Sequence, residues 1–215
     1  MATVPELTLT DPSERADLGA FVARAVRLEA GTAVRLRARE GGLVDAWVAT
    51  PFDVLATRTV RGEVFPTDVT VSGNELLAAL SVARDERVNP GPPQDLLWRS
   101  ALPPAQGWSE VDRLPAKVVA DLADRGIGVA RDNVGPQGTP PASLLDQTVL
   151  TVSGDRLEVK VPLRCLFAMA GMGFLGGGSE GQETLRVTAT DSWLRIDAPY
   201  GAIVRRRHAL LPLLV

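Results

Sequence analysis

The chain has 215 residues, a formal net charge of −3, and a composition that is 45% hydrophobic and 23% charged. This is enough length to bury a core as one domain or two small ones, and the balance is that of a folded chain rather than a disordered one. The missing basic excess argues against a general affinity for nucleic-acid phosphates, and a single cysteine, Cys165, excludes an intramolecular disulfide.

The N-terminal stretch MATVPELTLTDPSERAD is acidic, with no apolar run behind basic residues, so no signal peptide is read and a cytoplasmic location is expected. Asp11, Pro12 and Glu14 form a helix start, with a cap, a first-turn proline and a capping-box acid. Leu18, Phe21, Val22, Ala25 and Leu28 follow at helical spacing, which predicts a helix over 12–29 with Gly31 ending the pattern. Val34, Leu36 and Ala38 then alternate with Arg35, Arg37 and Arg39. Gly41-Gly42 turns the chain into a second apolar run around Trp47, Pro51-Phe52-Asp53 breaks that run, and 54–61 supplies a third strand.

Residues 68–86 read as a strand entering a helix, with Ser72 and Glu75 as a second capping box. The proline-rich stretch 88–108 reads as a linker or surface-hugging loop pinned by Trp98 and Trp108. A short helix is expected from Pro115 to Arg125 with Gly126 as its stop, then a second irregular connection over 133–143 and a hairpin over 148–161.

Pro162 opens an apolar helix to about 174. The most apolar stretch, 161–175, carries Arg164 and is shorter than the roughly 20 residues needed to span a bilayer, so no membrane association is expected. Strands follow over 184–190, 193–198 and 202–208, with a Pro199-Tyr200-Gly201 break. Helix, strand, strand, strand thus occurs twice. The predicted fold class is α+β, as two related helix-plus-antiparallel-sheet modules in a pseudo-duplicated arrangement. The expected division is 1–87, a proline-rich connection with a short helix over 88–147, and 148–215.

GMGFLGGGSEG (171–181) matches two catalytic patterns. Gly171, Gly173 and Gly176 spell a dinucleotide-binding G-x-G-x-x-G, and Gly177, Ser179 and Gly181 spell a hydrolase G-x-S-x-G. Both need a strand before the motif and a helix after it, whereas here a helix precedes and a strand follows. Ser179, Asp191 or Asp197, and the sole histidine His208 keep hydrolase chain order but are compressed into about thirty residues. Ser179 and His208 are therefore retained only as a loop site. Cys165, among Leu163, Leu166, Phe167 and Met169, reads as a buried hydrophobe. One Cys and one His cannot complete the usual zinc ligand sets, so no metal, cofactor or catalytic residue is assigned.

Arg35, Arg37 and Arg39 share one face of a strand, as do Arg205 and Arg207 on the last strand. They are candidate contacts for phosphate, carboxylate or an acidic partner, against the alternative of a solvated sheet face in a chain whose only lysines are Lys117 and Lys160. The uncharged stretch 209–215, ALLPLLV, calls for packing on its own fold, across a homodimer or on another protein.

LTLTDPSERADLGAFVARAVRLEAGTAVRLRA, GWSEVDRLPAKVVADLADRGI and PLRCLFAMAGMGFLGGG together resemble an uncharacterised family of small actinobacterial proteins. The resemblance implies a bacterial cytoplasmic α+β protein in two halves, and carries no activity or ligand. The leading functional reading is a non-catalytic binding or protein-interaction protein. A small-molecule binder or hydrolase using the 176–182 loop comes second. A clamp-like protein on nucleic acid ranks lowest, because Glu14, Asp17 and Glu29 offset Arg15, Arg24 and Arg27 around the first helix.

Overall fold

The computed structural model describes residues 4–132, 140–154, 157–176 and 183–207. The chain forms two compact units: Met1–Pro51 with Leu55–Ala101, and Phe52–Val54 with Leu102–Val215. The division at 101/102 falls inside the stretch expected as a connection, because the residues just before it are built into the first unit.

That unit contains β1 (Glu6–Thr8), α1 (Pro12–Leu28), β2 (Ala33–Arg39), β3 (Leu43–Thr50), β4 (Val54–Arg61), β5 (Glu63–Phe65), β6 (Asp68–Ser72), α2 (Gly73–Val82) and β7 (Arg87–Val88). The main sheet runs β6-β2-β3-β4, and a small sheet runs β5-β1-β7. The three very short strands of the small sheet are not visible in the periodicity, because two or three residues cannot display a period of two. Asp11 caps α1 by accepting from the Ser13 N–H at 2.8 Å. That bond favours the ionised carboxylate and holds Asp11 below its ordinary pKa. The cap's contribution is therefore present at neutral pH and is lost as the pH falls through the lowered value. Beyond β7 the proline-rich chain is docked: Gln94 N–H donates to Thr70 O and Thr70 N–H donates to Asp95 Oδ1, each at 2.7 Å. Segment 94–95 thus covers β6 at Thr70.

The second unit contains β8 (Ser109–Pro115), α3 (Ala116–Asp132), α4 (Ala142–Leu145), β9 (Thr148–Ser153), β10 (Glu158–Pro162), α5 (Leu163–Gly171), β11 (Thr184–Ala189), β12 (Trp193–Ala198) and β13 (Gly201–Arg206). Its main sheet runs β13-β12-β11-β8, with β9 and β10 as a separate hairpin. The fold is α+β, helices on antiparallel sheets, and the two units share a plan. In each, a three-strand meander follows one helix (α1 then β2-β3-β4; α5 then β11-β12-β13). The first meander strand pairs with a strand that leads directly into the other helix, β6 into α2 and β8 into α3. The chain order of these halves is exchanged: the meander comes first in one unit and last in the other.

The sequence expectation at Gly126 fails. α3 continues through Gly126 and Gly128 to Asp132, because tertiary contact overrides a weak propensity. A Cβ at Gly126 would lie 2.3 Å from Leu163 Cδ1 and 3.3 Å from Phe167 Cε1, so the missing side chain is what lets α3 close on α5. Ala130, Leu144, Leu163 and Phe167 form the buried cluster there, with Phe52 edge-on to Phe167 at 5.8 Å.

Two substitutions separate helix propensity from packing. Gly126→Ala is expected to destabilise by about 1–2 kcal/mol, overpacking outweighing the roughly 1 kcal/mol propensity gain. Gly128→Ala, whose Cβ meets nothing within 4 Å, is expected to stabilise by up to about 1 kcal/mol. Urea midpoints of the two variants should move in opposite directions.

Candidate functional site

The alternation of β2 buries Val34 and Leu36 and leaves Arg35, Arg37 and Arg39 on the other face. That face is not a row of open cations. Arg35 holds Asp68 with two bonds of 2.7 and 2.8 Å, and its guanidinium lies 5.8 Å from the Trp98 ring centroid. Its bond to Asp68 raises its already high pKa. Arg37 reaches the same carboxylate at 3.7 Å, and Arg39 reaches Asp45 at 3.5 Å. Asp68 on β6 and Asp45 on β3 come from the neighbouring strands that β2 pairs with.

Arg205, on β13, and Arg207, just past its end, have separate surroundings. Arg207 donates to Thr190 O at 2.9 Å and Glu158 O at 2.6 Å, tying the end of the sheet to the β9–β10 hairpin. Arg205 belongs to a cluster with Arg164, Asp53 and Asp146. The Arg164 side chain is only 9% exposed and meets Asp146 Oδ1 at 2.8 Å through Nε and 2.7 Å through Nη2. It also donates to Phe52 O at 2.7 Å and stands 3.9 Å from Asp53. Arg205 reaches Asp146 at 3.5 Å and Asp53 at 3.8 Å, and its Nε is buried with no hydrogen-bond partner among the described residues. Asp53 sits at φ 57°, a left-handed conformation that Asp tolerates better than most residues.

Spacing alone did not single out this cluster. The available signal was one arginine inside an otherwise apolar helix, since a buried charge requires partners. Its chemistry is that of an ion-pair hub, in which two guanidiniums meet two carboxylates. Cys165, next along the chain, is fully buried, and burial pushes its thiol up to about 12 despite the neighbouring arginines. It is a packing residue, as its helical surroundings predict. Among the described residues no group of three or more His, Cys, Asp or Glu side chains is arranged to hold a metal ion, and no helix is long and apolar enough to cross a membrane.

The glycine motif has a local explanation. Gly173, at φ 67°, ends α5 in a Schellman arrangement. Its N–H donates to Ala170 O at 2.9 Å, and Phe174 N–H donates to Met169 O at 2.8 Å. Gly171 is the last helical residue, so the apparent dinucleotide fingerprint is a helix stop. Ser179, His208 and the apolar stretch 209–215 lie outside the described residues, as does most of the 176–182 loop.

The arrangement of helices on antiparallel sheets resembles that of bacterial polymerase sliding clamps. The fold is similar to the Caulobacter crescentus polymerase III beta subunit, with a TM-score of 0.60 at 15% identity, over 96% of this chain and 66% of that one. It is similar to the Bacillus subtilis sliding clamp at 0.61 and 10%, over 98% and 66%, and to the Streptococcus pyogenes beta subunit at 0.58 and 9%, over 96% and 66%. The chain spans just under two thirds of the length of these clamp subunits. Residues 103–210 match the family model of a domain of unknown function, DUF8185, and the chain belongs to that family; residues 2–100 match a second domain of unknown function, DUF8010. The sequence matches no curated protein.

Two outcomes are expected. Arg164→Ala should destabilise by about 3 kcal/mol, because truncating this largely buried side chain leaves a cavity in the unit and unmakes its bonds to Asp146 and the Phe52 carbonyl, whereas Arg37→Ala, on an exposed pair, should cost no more than about 1 kcal/mol; chemical denaturation reads both. Cys165 should resist a thiol reagent at pH 8 in the native protein and react on adding denaturant, since its thiolate forms only near pH 12.

Proposed function

We propose that the protein is a non-catalytic, clamp-like binding protein with a nucleic-acid-associated role, acting by holding a partner rather than by transforming a substrate. The observation that supports this reading is the likeness to polymerase sliding clamps across 95% or more of the chain, both units included. It reverses the order that charge alone suggested, where the clamp reading stood last. The described chemistry agrees: the thiol is buried, the glycine motif is a helix stop, and Arg35, Arg37, Arg39, Arg205 and Arg207 already meet carboxylates or carbonyls. A cytoplasmic location and self-association belong to the same reading.

The charge on the helices qualifies how nucleic acid would be held. α1 sets Arg15, Arg24 and Arg27 against Glu14 and Asp17. α2 carries only Glu75, and α3 sets Lys117, Arg125 and Arg131 against Asp121, Asp124 and Asp132. Phosphate neutralisation requires a cationic surplus, and the helices have almost none. A second reading follows from this balance: a protein-interaction scaffold that keeps the clamp fold without its grip on nucleic acid.

Retention on DNA distinguishes the two. A topological hold predicts that the protein stays on nicked circular duplex but leaves the same DNA once linearised, with a shallow salt dependence of about one or two phosphate contacts. Equal, negligible binding to both forms at low salt would favour the scaffold, and a steep salt slope would contradict both.

A further inference from the structure

Beside β8 lies a groove of about 440 Å³, lined by Ser109, Glu110, Val111 and Asp112 on one wall and by Ser153, Gly154 and Leu157 on the other. β8 is the terminal strand of its sheet. β11 pairs with one edge, and among the described residues no strand pairs with the other. The register shifts so that Val187 faces Asp112 while Thr188 faces Glu110, which makes Val111 the extra residue of a bulge. The Val111 carbonyl abuts Gly154 so closely that a Cβ there would lie 2.5 Å from it. The hairpin therefore seats against the bulge through bare backbone and leaves the groove open alongside.

The electrostatics of the groove are one-sided. Among the described residues, its lining carries two carboxylates and no cation. The adjacent Arg113 is bound to Glu110 at 2.9 and 3.4 Å, so it does not neutralise Asp112. Asp112 has no ion-pair partner among the described residues, and its Oδ1 accepts the Arg113 backbone N–H at 2.7 Å. A backbone donor held by an exposed side chain is the kind of group that an incoming strand's carbonyl can take over.

We propose that this groove docks an extended, basic peptide segment of a protein partner, which adds as a strand to the outer edge of β8 and places a Lys or Arg against Asp112. The acidic lining disfavours a phosphate backbone, so this surface is distinct in chemistry from any that would hold nucleic acid, and the proposal does not depend on the reading given above. Main-chain bonds would supply much of the affinity and the carboxylates the specificity.

The test uses the full chain and a panel of fluorescein-labelled eight-residue peptides in which Lys or Arg alternates with Val or Thr, with Glu-containing counterparts. Basic peptides are expected to bind and to slow hydrogen exchange at residues 110–113. Asp112→Lys, at an exposed position, should weaken binding at least tenfold and favour the Glu counterparts. Ser153→Arg, on the opposite wall, should also weaken the basic peptides and guards against a folding defect in the first variant. Unchanged affinity in both variants, protection confined to other strands, or no peptide binding would overturn the proposal. So would β8 protection in the peptide-free chain that disappears when 209–215 is replaced by Gly-Ser, since the chain's own terminus would then be the occupant.

Discussion

Arg164 is the charge around which the second unit is arranged. It sits on α5 among residues that are nearly all buried, and a guanidinium in such a place is tolerated only when its donors are met. Asp146, at the end of α4, and the Phe52 carbonyl meet them, and Arg205 from β13 approaches the same carboxylates. One buried cation thereby fixes a short helix, a strand and the 52–54 segment relative to α5. The same helix closes on α3 at Gly126, so a single apolar element carries both the polar and the apolar organisation of the unit.

The arginines illustrate how a sheet turns apparent function into structure. On β2 the side chains alternate cleanly, so three arginines emerge on one face, a pattern that could receive an anion. Strand pairing brings Asp68 and Asp45 beside them, from positions 33 and 6 residues away. Those carboxylates occupy the sites an external anion would use. Beside β8, by contrast, Asp112 has no ion-pair partner among the described residues. The described helices, for their part, carry almost no surplus of positive charge with which to grip phosphates.

Much of the secondary structure was legible along the chain. The first helix, the meanders after α1 and α5 and the β9–β10 hairpin are recognisable because their periods, caps and breaks lie within a few residues of each other. The repeated helix-then-meander order was legible for the same reason. The misleading signals were glycines. Gly126 suggested a stop but serves a helix contact, while Gly171 and Gly173 resembled a cofactor loop but end a helix. Glycine marks a demand on the backbone, and the chain does not say whether the demand comes from a turn, a neighbouring helix or a ligand.

By itself, then, the sequence determined the longer helices and the meander strands, which face of each is apolar, and that Cys165 is a poor candidate for chemistry, because these depend on neighbours within one or two turns; the short strands, β8, α4 and the end of α3 it did not. Only the tertiary structure decided which carboxylate neutralises which arginine, that 94–95 docks on Thr70, that the halves of the two units are exchanged in order, and that β8 is left with an unpaired edge. Those outcomes join residues far apart in the chain. Strand order and side-chain pairing arise from closure of the sheets and the burial of apolar faces, for which a linear pattern supplies the pieces but not their neighbours.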